Sequence, residues 1–133
     1  MLATTLTAGA QNSPNANADK PTIIFVHGVW ADGSCWNDEI TAMQNKGYQV
    51  VSVQNPLTSL ADFAEKSEAP AWKQKPTWYI VATEDKAIHP DLERFMSKRM
   101  KANTTEIVSS HVVMNSHPKD VVKVIEEAAS FKY

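Results

Sequence analysis

The sequence predicts an α/β domain in which parallel strands form a sheet covered by helices on both faces. Three observations carry that prediction. Four short runs are apolar and β-branched, at residues 22–26 (TIIFV), 48–53 (YQVVSV), 77–83 (TWYIVAT) and 104–109 (TTEIVS). The first of them is continuous, the mark of a strand buried on both faces. Segments with helical spacing of apolar residues lie between and after these runs, which gives the order βαβ(α)βαβα and right-handed crossovers.

The elements follow in chain order. Residues 1–20 (MLATTLTAGAQNSPNANADK) are small and polar with no hydrophobic period, so they read as a disordered tail. Their Ala8-Gly9-Ala10 also resembles the end of a secretory signal, without its charged start or full apolar core, so cytoplasmic and exported locations both stay open. The domain is expected over 21–133. His27-Gly28 ends the first strand, and Asp32-Gly33-Ser34 offers an N-cap to a helix with Trp36, Ile40 and Met43 on one side. Gly47 closes that helix in the left-handed conformation. Asn55-Pro56 stops the second strand, a weak helix is expected over 59–66, and 68–76 (EAPAWKQKP) reads as a loop. Pro90 opens a helix predicted to carry Leu92, Phe95, Met96 and Met100 on its inner face. Pro118 opens the last helix, with Val121, Val122, Ile125, Ala128 and Ala129 inward.

Composition narrows the function. The 133 residues suit one domain, and 43% hydrophobic with 21% charged residues is ordinary globular composition. One cysteine excludes an internal disulfide framework and any multi-cysteine metal site. A net charge of −2 with scattered Lys and Arg gives no footprint for nucleic acid, and no run is apolar enough for a membrane span. A small molecule is the expected partner.

Three stretches then point to a family. Residues 23–36 (IIFVHGVWADGSCW) run a buried strand into His-Gly and a Trp-bearing helix start. Residues 78–88 (WYIVATEDKAI) and 107–118 (IVSSHVVMNSHP) each place a strand before an acid or a histidine. In order and spacing they resemble the α/β-hydrolase superfamily, in particular its small esterase-like members. The resemblance covers most of 21–133. It implies that Asp85 is the triad acid, that His111 is the general base, and that the Val29 and Trp30 backbone N–H groups form the oxyanion hole. It implies carboxylic-ester hydrolysis without a cofactor; no ligand spacing suggests a metal, and nothing suggests a lid or a long acyl tunnel, so a short-chain ester is the expected substrate.

The chain departs from the family at its centre. The family needs a Gly-x-Ser-x-Gly elbow ahead of the acid. The only glycines are Gly9, Gly28, Gly33 and Gly47, and none brackets a serine in that way. The nucleophile strand, its helix and the strand after it are absent, so the chain reads as a trimmed hydrolase, impaired or inactive. Losing two strands would leave a gap of about 10 Å with orphaned backbone groups. Residues 55–76 are long enough for a crossover, so closure into a four-stranded sheet of order 2-1-3-4 is the expectation. The alternative is that a second copy or a complementing chain fills the gap. Closure would set Glu84 and Asp85 beside Val29, with His111 one strand further out.

Substitute nucleophiles are few. Asp85, Ser34 and Cys35 all lie near the expected site, but Ser34 suits a helix cap and a lone Cys usually packs as a small hydrophobe. His27, His89 and His117 complete no metal-ligand pattern with His111; His27 is expected to bond within its own loop and His117 to start a helix. Lys98, Arg99 and Lys101 suit a solvated helix end. Trp30, Trp36, Trp72 and Trp78 could line an acyl pocket, or pack in the core and at its rim. Three functions remain: an inactive hydrolase domain, an esterase with an unconventional or partner-supplied nucleophile, and a non-catalytic binding module.

Overall fold

The computed structural model describes residues 19–28, 31–54 and 69–132. Residues 1–18 of the expected tail, Val29, Trp30 and the helix expected at 59–66 lie outside the described residues. The strands are β1 (Ile23–Val26), β2 (Val50–Val53), β3 (Trp78–Ala82) and β4 (Asn103–Ile107). The α-helices are α1 (Asn37–Asn45), α2 (Pro90–Met100), the single turn α3 (Val113–Ser116) and α4 (Pro118–Ser130). Among the described residues there are also short 3-10 turns at Gly33–Trp36 and Ala71–Lys73. Each predicted strand forms, and each is shorter than its apolar run.

The strands pair in parallel, as expected, but not in one sheet. β1 pairs with β2 (Phe25 opposite Ser52), and β3 pairs with β4 (Ile80 opposite Thr105). Among the described residues these are two two-stranded sheets, and the β1–β3 pairing that the order 2-1-3-4 requires is not formed. Side chains, rather than a ladder, join the halves. On α4, Val121 packs with Ala82, Ile107 and Val113, while the next residue, Val122, packs with Phe25 and Met43. Trp36 and Ile125 touch both clusters. Trp36 also lies against Phe25, ring centroids 5.4 Å apart. Trp36, Val121 and Ile125 line a groove of about 360 Å³ along β1.

One face of β1–β2 is therefore covered and the other is not. Phe25 and Met43 are buried against α1 and α4. The alternate residues Ile24 and Val26 are 61% and 56% exposed, with Val51 and Val53 beside them on the same face. Helix α2 brings a second surprise. Of its expected inner residues Met96 and Met100 are half-buried, but Leu92 and Phe95 are 51% and 60% exposed, and Glu93 and Ser97 are buried instead. The helix is rolled because polar groups hold it: Glu93 accepts from the N–H of Ala82, and Ser97 shares a hydrogen bond with Thr104.

Local signals explain the ends of the elements. Asp32 caps the first 3-10 turn by accepting from the N–H of Ser34 at 2.8 Å. Gly47 has φ 80°, the left-handed turn after α1. Pro90 and Pro118 each stand in the first turn of their helices. Gly33 packs against the end of β2, where an added Cβ would meet Gln54 Nε2 at 2.5 Å and Ser52 Oγ at 2.6 Å. Gly33→Ala is expected to cost about 1–2 kcal/mol through overpacking. Urea unfolding followed by tryptophan fluorescence checks this; an unchanged midpoint would mean that both side chains swing aside freely.

Candidate active site

The β3–β4 ladder continues past the strands and sets the positions of Asp85 and His111. The Thr83 N–H donates to the Ile107 carbonyl at 2.9 Å, and the Glu84 N–H donates to the Ser109 carbonyl at 3.1 Å. Both chains thus leave the sheet side by side at their C-terminal ends, where open parallel sheets gather ligand-binding side chains. Asp85 follows at once, and His111 follows two residues after the last paired carbonyl. The His111 Nδ1 and Asp85 Oδ2 are 2.7 Å apart.

The two side chains differ in setting. The Asp85 side chain is buried, while the His111 ring is about half exposed. Asp85 Oδ1 accepts from the N–H groups of Ala87 at 2.6 Å and Ile88 at 3.1 Å, so the loop is wrapped around its own carboxylate. Burial alone would raise the Asp85 carboxyl. The His111 hydrogen bond and the N–H groups of Ile88 and Ala87 outweigh burial and lower it to about 2. An ionised carboxylate only accepts, so His111 must carry its proton on Nδ1. Nε2 is then the basic nitrogen of the ring.

An open concavity of about 1080 Å³ surrounds the pair, with Glu84, Lys86, Arg94 and Ser110 among its other walls. Arg94 already binds Glu106 through Nε at 2.9 Å and Nη2 at 2.7 Å, and binds Asp91 through Nη1 at 2.9 Å. Glu93 lies behind Asp85: one ligand-type atom from each of Asp85, Glu93 and His111 falls within 4.8 Å of the other two. Hydrogen bonds already engage both Asp85 oxygens and Glu93 Oε2. Sequence reasoning missed Glu93.

The other candidates fall elsewhere. Val29 and Trp30, expected as oxyanion donors, lie outside the described residues. The Ser34 hydroxyl is held by Asp32. Burial, then Asp32 and Glu39, push the Cys35 thiol up, so it stays a neutral thiol. Among the described residues no hydroxyl or thiol is hydrogen-bonded to the His111 ring. His27 Nδ1 lies 2.8 Å from the Gly28 carbonyl, within its own loop. Trp36 packs in the core, Trp78 stands edge-on to Phe131, and Lys73 and Arg99 lie over Trp72. None of these three rings lines the concavity at His111.

Among the described residues no helix is long and apolar enough to cross a membrane. The family model described as "Alpha/beta hydrolase family" matches residues 52–124, more than half of the chain, a span that includes both Asp85 and His111. No curated protein and no solved structure matches the chain.

Proposed function

We propose, from the premise that this chain belongs to the alpha/beta hydrolase family, that it is an esterase-type domain keeping an acid–base pair but no serine nucleophile. The observation that carries the reading is the 2.7 Å contact between His111 Nδ1 and the ionised Asp85. Asp85 fixes the imidazole tautomer and stabilises the imidazolium that forms when Nε2 takes a proton. Val29 and Trp30 are the expected oxyanion donors. The acid and base lack the group they would activate, since no Gly-x-Ser-x-Gly precedes Asp85. A short-chain carboxylic ester is the substrate class, and its turnover is impaired or absent.

Hydrolysis of a short activated ester by the purified protein, measured beside His111→Ala, tests this. Both proteins are expected to hydrolyse it at the same rate, within about twofold, set by surface imidazoles and amines. An excess of about tenfold or more that vanishes in the variant would overturn the assignment, because general-base catalysis of that size needs a nucleophile in place.

A second reading has its own support. The exposed apolar face of Ile24, Val26, Val51 and Val53 lies beside a β1 edge unpaired with β3 among the described residues. A second copy or a complementing chain that covered it would make the domain an interaction module, or would bring the missing nucleophile. Sedimentation of the purified protein tests the second copy: a monomer with no His111-dependent turnover rules out self-association and leaves the inactive hydrolase unless a different chain is supplied.

A further inference from the structure

We propose that Glu93 is a positioning residue of the acid–base pair: a buried, neutral carboxylic acid that bridges the end of β3 and the Asp85 carboxylate. This deepens the reading of Asp85 and His111 as acid and base, and rests on it. Glu93 is the second buried carboxylate behind the ring, with a ligand-type atom inside the same 4.8 Å triangle as Asp85 and His111. Two ionised carboxylates at that separation repel strongly out of water, so one of them holds a proton.

Counting donors decides which. Asp85 receives His111 and two backbone N–H groups, whereas Glu93 receives the Ala82 N–H at 2.8 Å. The anion belongs where the donors are, on Asp85. The proton then sits on the Glu93 oxygen that Ala82 leaves unused, and Asp85 can accept it. Burial and the Asp85 carboxylate both push Glu93 up, in the same sense. The other titratable group that faces it from β3 is Tyr79, a phenol raised by its own burial and by Glu93 and Asp85, and therefore uncharged at neutral pH.

The roll of α2 fits the same account. Turning Glu93 inward leaves Phe95 and Leu92 in water, an arrangement that hydrophobic burial alone opposes. A hydrogen-bonded acid spanning Ala82 and Asp85 offsets it. Functionally, the neutral acid steadies the Asp85 carboxylate against His111 and leaves a single negative charge behind the imidazole.

The experiment reads the charge directly. Carbon-13 NMR of the carboxyl groups in the full chain at pH 7 should show Glu93 protonated. The titration midpoint of the His111 ring should move by less than about 0.3 pH units in Glu93→Gln, an uncharged side chain that can still accept from Ala82 and donate to Asp85. A fall of about one to two pH units would show that a negative charge had been removed, and would overturn the proposal. If Glu93→Gln does not fold, the wild-type carboxyl resonance decides alone, with an ionised Glu93 at pH 7 counting against it. Neither readout depends on ester turnover, so an inactive protein leaves the test intact.

Discussion

Asp85→Ala is expected to lower stability at pH 7 by about 2–4 kcal/mol, the range for breaking a buried, hydrogen-bonded charge. The substitution removes an acceptor that three donors use at once: His111 Nδ1 at 2.7 Å and the N–H groups of Ala87 and Ile88. The loop that Asp85 wraps loses its closure, and Glu93 is left facing no partner carboxylate. Asp85→Asn should cost less, about 1 kcal/mol. Its amide oxygen still accepts from the loop, while its NH₂ group meets a ring nitrogen that has to change tautomer.

The pH dependence of that loss has a definite sign. Asp85 is lowered in the fold, to about 2, while the unfolded chain holds it near the ordinary value of 3.8. Its ionisation therefore stabilises the fold fully above about pH 4, and that contribution disappears as pH falls towards 2. Urea unfolding of wild type and Asp85→Ala should differ most at neutral pH and converge in acid. A difference that stays the same from pH 7 to pH 3 would mean that the carboxylate charge plays no part in holding the loop.

The candidate site was legible in the sequence where polar residues sit at the ends of elements. Trp78–Ala82 and Asn103–Ile107 announce themselves as strands, and Asp85 and His111 stand just beyond them. Parallel pairing then needs only to run on through Thr83 and Glu84 for the two side chains to meet. The face of α2 was legible only in part: Met96 and Met100 are half-buried, Leu92 and Phe95 are not. Apolar spacing selects Leu92 and Phe95, but the inner face is decided by Ala82 and Thr104, which lie outside the helix. The polar pair Glu93 and Ser97, one turn apart, is the only local trace, and it reads equally well as a solvent-facing stripe. The sheet order failed for a related reason. Pairing of β1 with β3 is a contact between distant segments, and the bulk of Trp36 and the α4 side chains joins the halves instead.

Glu39→Met is expected to raise stability at pH 7 by about 1–3 kcal/mol, the cost ascribed to a buried polar group without a partner. Glu39 lies on α1 one turn before Met43, with a relative exposure of 0%. Neither of its oxygens finds a hydrogen bond among the described residues, and the indole Nε1 of Trp36, three residues earlier in the chain, is in the same condition. Methionine keeps the length of the side chain and its helix propensity without the polar oxygens. Burial, with Asp38 adding to it, pushes the Glu39 carboxyl up. A raised carboxyl works in the opposite sense to Asp85. The penalty of its charge is absent below the unfolded value of 4.5, grows as the unfolded chain ionises first, and is complete above the folded value. The advantage of Glu39→Met should therefore be largest at neutral pH and shrink near pH 4, where only the cost of burying a neutral acid is left. A variant that is less stable than wild type at pH 7 would show that the carboxylate has a partner in solution, and Trp36 Nε1 would be the first donor to test.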